Sequence, residues 1–283
     1  MIILDMNQIT LANVMMNFHM NKSDELEEDM VRHMILNSIR MYRTMFKDEY
    51  GEIVLAYDSR HYWRRDIFPQ YKQNRKKGRE NDSKDWDKIF GLLNAMKSEF
   101  KDILPYKFVE VYGAEADDII ATLCKEHQDQ KIMIISGDKD FIQLQKYPFV
   151  QQWSPITKKA VNGYDPDVYI QEHILKGDTS DGIPNVLSPD NTFTEGLRQR
   201  PLSRKKIESW VSANTKYIPT WSDEVKRNYQ RNYKLINLKN IPEDIESNIV
   251  DEISKSLCGD RSKLLNYFTV NKLKTLTENI GDF

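Results

Sequence analysis

The 283-residue sequence has little with which to cross-link itself or to bind a soft metal. Its two cysteines, Cys124 and Cys258, stand far apart in helical surroundings, which excludes a disulfide framework and fits a reducing compartment. No apolar run approaches the length of a membrane span. The opening MIILDMNQIT meets charge too early for a signal peptide and reads as a buried strand. Histidine is scarce too. His33 and His127 lie in helical patterns and His61 in a basic stretch, none paired at ligand spacing, so the histidines are read as structural. There is no internal repeat and no low-complexity tract. With a net charge of −2, the distribution of charge carries more information than its sum.

What is present is a globular balance of 40% hydrophobic and 11% aromatic residues, enough to bury a sizeable core. Short apolar runs alternate with helical patterns. MIIL (1–4), EIVLAY (52–57), KFVEV (107–111), KIMIIS (131–136) and FVQQW (149–153) read as strands. Between them, segments 30–46, 86–100 and 114–127 carry apolar residues at helical spacing. Unbroken apolar strands separated by helices predict an α/β fold with a mostly parallel central sheet flanked by helices. Beyond about residue 180 only helical patterns remain, which predicts a smaller helical C-terminal domain, with 1–182 and 183–283 as the two units.

Acids stand where such a sheet binds ligands, at the carboxyl ends of its strands. Asp5 follows the first strand and Asp58 the second, while Asp138 and Asp140 follow KIMIIS. Glu115, Asp117 and Asp118 open the helix after KFVEV, and Asp178 and Asp181 lie in KGDTSDGIPN. A single Asp after a strand is most often a turn former or cap, and acids in a first helical turn complement the helix dipole. Nine acids converging from five segments are another matter, because crowded carboxylates do not all ionise unaided. An all-oxygen set predicts hard divalent cations, Mg2+ with Mn2+ as a substitute, and so many acids suit two sites. Paired metals are the usual apparatus of phosphodiester cleavage.

Next to the second strand runs RHYWRRDIFPQYKQNRKKGR (60–79), with eight Lys or Arg and one acid, and with Tyr62, Trp63 and Tyr71 interleaved. Cations of this density neutralise phosphates, and the rings can stack on unpaired bases. For residues 76–85 alone, a solvated and partly disordered loop is the simpler reading. Trp153, Trp210 and Trp221 are read as packing residues.

Together, AYDS, RRDIFPQYKQNRKK, EADD, SGDKDFIQL and GDTSDGIPN, in this order and spacing, resemble the flap endonuclease family of 5′-nucleases over roughly the first 185 residues. QQWSP and NYKLINL extend the likeness toward the family's bacteriophage members, including those with ribonuclease H activity. The resemblance implies a PIN-like sheet carrying two magnesium sites, with an arch at about 60–85. It places Asp5, Asp58, Glu115, Asp117 and Asp138 around the first metal, and Asp118, Asp140, Asp178 and Asp181 around the second, partly through water. Lys72 and Arg75 match arch-base cations that hold the scissile phosphate, and Asp138 completes the catalytic assignment. Tyr71 matches a position near the cleaved bond. Arg64, Arg65, Lys76, Lys77 and Arg79 are assigned to nucleic-acid binding along the same stretch. After GDTSDGIPN the family's glycine-rich helix–turn–helix is replaced by VLSPDNTFTEGLRQRPLSRKK, so neither its phosphate grip nor a potassium site carries over. Arg198, Arg200, Arg204, Lys205 and Lys206 remain as cations for a duplex backbone.

The function implied is magnesium-dependent 5′→3′ exonuclease and flap endonuclease action on RNA–DNA and DNA duplexes with free 5′ ends. The setting implied is RNA-primer removal during phage lagging-strand replication, by a monomer in the cytoplasm of the infected bacterial host. Single-strand-binding protein and sliding clamp are implied partners, with no N-terminal extension expected to carry a clamp contact. Two rivals are a PIN-type nuclease of single-stranded RNA, disfavoured by the basic stretch and helical tail, and a non-catalytic structure-specific DNA-binding protein. A haloacid-dehalogenase phosphatase needs a second Asp two residues after Asp5, and Asn7 stands there.

Overall fold

A computed structural model describes residues 1–22, 25–213, 218–256 and 259–283. Cys258 lies outside the described residues. One six-stranded sheet organises the chain: β1 (Ile2–Asp5), β2 (Ile53–Ala56), β3 (Lys107–Val109), β4 (Ile132–Ile135), β5 (Val150–Ser154) and β6 (Lys159–Ala160). Their spatial order is β3-β2-β1-β4-β5-β6, the first five parallel and β6 antiparallel at the edge. Every residue of β1, β2 and β4 is buried, as the unbroken apolar runs require of strands covered on both faces. The exposed two-residue β6 has no such signal.

Side chains alternate between the two faces. Ile2 and Leu4 point to a core built with α1 (Met6–Asn21) and α2 (Glu28–Tyr50), while Ile3 points to the opposite core. The basic stretch forms two short helices, α3 (Arg64–Ile67) and α4 (Gln73–Glu80), and α5 (Trp86–Ile103) then joins the first core. Residues 76–80, read above as part of a loop, are therefore helical. The second face is covered by α6 (Ala116–Glu126).

Beyond the sheet, α7 (Pro166–Lys176), α8 (Arg204–Ser212) and α9 (Asp223–Ile236) surround a small cluster of Leu175, Val186 and Ile207. Trp210 and Trp221 pack against each other beside it, 4.7 Å between ring centroids, and Trp153 packs edge-on to Phe46. The chain then returns to the sheet. Helix α10 (Glu243–Lys255) lays Ile245, Ile249 and Ile253 onto the α6 face, while α11 (Ser262–Val270) and α12 (Lys274–Glu278) add Leu264, Phe268 and Leu276 to the α1–α2 face.

Candidate active site

The chain leaves β1 for β2 and β3 on one side and returns to β4 on the other, so the strand order reverses between β1 and β4. A crevice opens at the carboxyl ends of strands at such a point. Asp5 ends β1 and caps α1, accepting from the Gln8 amide at 3.1 Å and the Ser136 hydroxyl at 2.9 Å. Ser136 ends the β4 run, and its Oγ accepts from the Asp138 amide at 3.1 Å, tying the two acidic strand ends together. Asp58 accepts from the Ala116 amide at 2.7 Å and so joins the end of β2 to the first turn of α6, which carries Asp117.

These acids raise one another. Burial, opposed in part by Lys72 and reinforced by Glu115 and Asp5, pushes the Asp58 carboxyl up to about 7. Burial and then Asp138 hold Asp117 far above the usual carboxylate range, and burial raises Asp5. Asp138 moves the same way through desolvation and then Asp140, although it stands exposed at the mouth, where water screens part of the effect. A carboxylate group that resists full ionisation near neutrality, with oxygen donors only, fits hard divalent cations.

Asp181 differs. Burial opposes its charge, but Lys72 and Arg75 outweigh burial and hold the carboxyl below its ordinary range. It accepts from the Tyr71 hydroxyl at 2.7 Å and pairs with the Arg75 guanidinium. The Lys72 backbone is left-handed, with φ of 58°, and its amide donates to the Asp181 carbonyl at 2.7 Å. This conformation sends Nζ into the acid group, 2.5 Å from Glu115 Oε1. A lysine in that region carries backbone strain of roughly 1–3 kcal/mol, a cost met where it serves a site.

Three of the assigned residues are buried and bonded within the protein. Arg64 is 3% exposed, and its guanidinium donates to Glu115, to both oxygens of Asp118 and to the Leu235 carbonyl. Asp118, fully buried, also accepts from the Trp63 indole and the Glu115 amide, so its oxygens are engaged within the fold. Tyr71 is 2% exposed, with its hydroxyl spent on Glu115 and Asp181. These three hold Glu115 and Asp181 in place.

Arg65, Arg75, Lys76 and Lys77 are exposed, and Arg79, half-buried, lies over the Trp86 and Phe90 rings. With Arg60, Tyr62 and Lys72 they line two clefts of about 770 and 670 Å3, the larger reaching Asp58 and walled by Trp86, Phe90 and Lys97. Arg204, Lys205 and Lys206 sit exposed in the first turn of α8, where cations oppose the helix dipole and favour an anion. Arg200 is paired with Glu224 at 3.0 Å, and Arg198 is exposed.

Asp140 and Asp178 meet a residue that the sequence reading passed over, His173 in the last turn of α7. The usable signal is HILKGD, a histidine one turn before the glycine that ends a helix and five residues before a site Asp. Gly177 ends α7 at φ of 69°, and a Cβ there would collide with the Ile183 and Pro184 carbonyl oxygens. Gly177→Ala should therefore loosen the turn bearing Asp178 and Asp181 and cost more than about 1 kcal/mol, read as a lower urea midpoint. A midpoint within error of wild type would show that the turn accommodates the methyl.

Two family models tile the chain. One, described as 5′-3′ exonuclease, N-terminal resolvase-like domain, matches residues 2–173, and the other, T4 RNase H, C terminal, matches residues 164–283. Ribonuclease H of Enterobacteria phage T4 is 35% identical over 291 residues, covering 99% of this chain and 95% of that protein. The chain belongs to the 5′-3′ exonuclease family. This 5′-3′ exonuclease is thus a nuclease, a phosphodiesterase, which sets aside the phosphatase and the non-catalytic binding protein. A 5′-3′ exonuclease of Buchnera aphidicola is 29% identical over 259 residues, 82% of this chain and 83% of that one. The fold recurs in a bacteriophage T5 protein co-crystallised with metal ions, at TM-score 0.61 and 16% identity over 90% of this chain and 98% of that one. The T5 flap endonuclease in a pseudo-enzyme-product complex with DNA and metal ions superposes at TM-score 0.60, with 16% identity, over 90% and 97%. Among the described residues, no helix is long and apolar enough to cross a membrane.

Proposed function

We propose that this nuclease removes nucleotides from the 5′ ends of RNA–DNA and DNA duplexes and cuts 5′ flaps, with two Mg2+ ions, clearing RNA primers during phage lagging-strand replication. The observation that carries this reading is the meeting of mutually repelling carboxylates at the β1–β4 reversal with a cleft lined by cations. Asp5, Asp58, Asp117 and Asp138 are the residues to hold the first ion, with Glu115 behind them and Asp140 and Asp178 toward the second. Bound there, divalent ions supply Lewis-acid charge to the phosphodiester transition state.

The chain's own residues do the rest. Glu115 receives the Lys72 ammonium and Asp181 the Arg75 guanidinium, so both cations stand beside the acids, ready to turn to a phosphate entering from the larger cleft. Arg65 and Arg79 draw the strand through that cleft, Lys76 and Lys77 continue the path in the smaller one, and Trp86 and Phe90 offer faces for its bases. The first turn of α8 serves the duplex backbone. In this arrangement the duplex-binding part of the C-terminal region is the α7–α9 cluster, and α10–α12 complete the sheet core.

A 5′-labelled flap duplex tests the reading. Wild-type protein should release short 5′ products with Mg2+ and none with EDTA, and no release in either condition would overturn it. Lys72→Ala should slow release about 10²-fold, the usual cost of one lost transition-state contact, while weakening binding less than tenfold. Unchanged turnover would remove Lys72 from the mechanism.

A further inference from the structure

Asp140, His173 and Asp178 differ from the other acids of the site in their donor set. His173 Nε2 lies 2.9 Å from Asp140 Oδ1 and 3.7 Å from Asp178 Oδ2, and one donor atom from each residue falls within 4.8 Å of the others. Nε2 itself is buried, shut off from solvent between the two carboxylates. It faces both carboxylates at once, so the three residues turn their donor atoms toward one point.

The surroundings hold the three donors in place. Tyr169, one turn earlier on α7, stacks on the imidazole with ring centroids 5.7 Å apart at 25°. Asp178 Oδ1 is occupied by the Ser180 amide and hydroxyl, both at 2.7 Å, and by the Asp181 amide at 3.2 Å, which leaves Oδ2 facing His173. The Asp140 amide is fixed by Asp138 Oδ1 at 2.9 Å. Support of this kind orients metal ligands. Magnesium sheds water reluctantly and takes oxygen donors, whereas Mn2+ is softer, keeps carboxylate ligands and accepts an imidazole among them.

We propose that Asp140, His173 and Asp178 form a mixed nitrogen–oxygen site that takes Mn2+ in preference to Mg2+, beside the all-oxygen site at the β1–β4 reversal. The proposal rests on the metal-dependent reading above and gives its second site a metal preference of its own. At low Mn2+ the mixed site fills first, and the nuclease then works with two different ions.

Pulsed electron paramagnetic resonance of the whole protein, titrated with Mn2+ alone and without nucleic acid, decides the matter. Wild type should show the nitrogen modulation of a coordinated imidazole on one bound Mn2+. His173→Gln should lose the modulation and bind that ion at least about tenfold more weakly, while its Mg2+ affinity changes less than twofold. Bound Mn2+ without nitrogen modulation in the wild type would overturn the proposal without recourse to any variant, and so would modulation that persists in His173→Gln. Flap cleavage is a separate reading. Mg2+-dependent cleavage without nitrogen modulation sinks the mixed site alone, whereas modulation without cleavage sinks the proposed function and keeps the site.

Discussion

Asp58→Asn should abolish most cleavage and at the same time make the metal-free protein more stable above neutral pH. The two effects share one cause. Asparagine keeps the Oδ1 that accepts from the Ala116 amide, so the link from β2 to α6 survives while the charge goes. Losing one group that stabilises transition-state charge costs on the order of 10²–10³ in rate, and flap cleavage in Mg2+ measures it. The stability effect follows from linkage. Burial pushes the folded carboxyl up to about 7, and the unfolded one keeps the ordinary value of 3.8. A folded pKa that is raised gives a contribution fully present below the unfolded value and lost as pH climbs through the folded one. In EDTA, wild type should therefore lose stability between about pH 4 and pH 7, by an order of a few kcal/mol, and the variant should lose less. Added Mg2+ should restore the wild type at pH 8 and do little for Asp58→Asn. Equal pH slopes for the two metal-free proteins would show that Asp58 is not the strained acid.

Arg64→Leu should be among the most destabilising single changes in the chain. The guanidinium is the counter-charge of two almost fully buried acids, with side-chain exposures of 3% for Arg64, 1% for Glu115 and 0% for Asp118. Breaking a buried pair by removing one partner costs about 3–5 kcal/mol, because the other is left charged and unpaired. Urea unfolding of the metal-free protein measures this, and Arg64→Leu/Asp118→Leu should recover part of the loss. A drop below about 1 kcal/mol in the single variant would mean that the acids are neutral without their arginine. Because Glu115 also receives Lys72 and Tyr71, disorder here should reach the cleavage rate as well.

The parts of this site that could be read from sequence are those where local pattern and position in space coincide. Runs such as MIIL and KIMII end sharply in Asp5 and Asp138, and a parallel sheet leaves one place for acids after its strands. The basic stretch also declared its charge, but not which way each cation faces. Arg64 and Arg65 are neighbours in one turn; the first is sealed against Asp118 and the second is exposed. Asp117 and Asp118 split in the same way, since successive helical residues point in different directions. Helix α1 was missed because methionines and asparagines sit on several of its sides, with Met16 and Met20 exposed and Asn17 buried, so no single apolar stripe marks it. For α4 the cause is opposite: QNRKKGRE has no apolar face at all. His173 escaped because the search was for paired histidines, and its partners are carboxylates brought in by two other turns.

The pairing of β1 with both β2 and β4 has a consequence for how this enzyme comes into being. Ile2 must wait for Met133 before the central strand pair exists, and Asp5 does not meet Ser136 until then. Contacts so distant along the chain close slowly, because loop entropy is lost before burial offsets it. A growing chain on the ribosome therefore has no cutting centre while its first hundred residues are exposed, and any fragment lacking the 178–181 turn lacks two of the acids. The acids of the site can therefore meet only once the chain extends through the 178–181 turn.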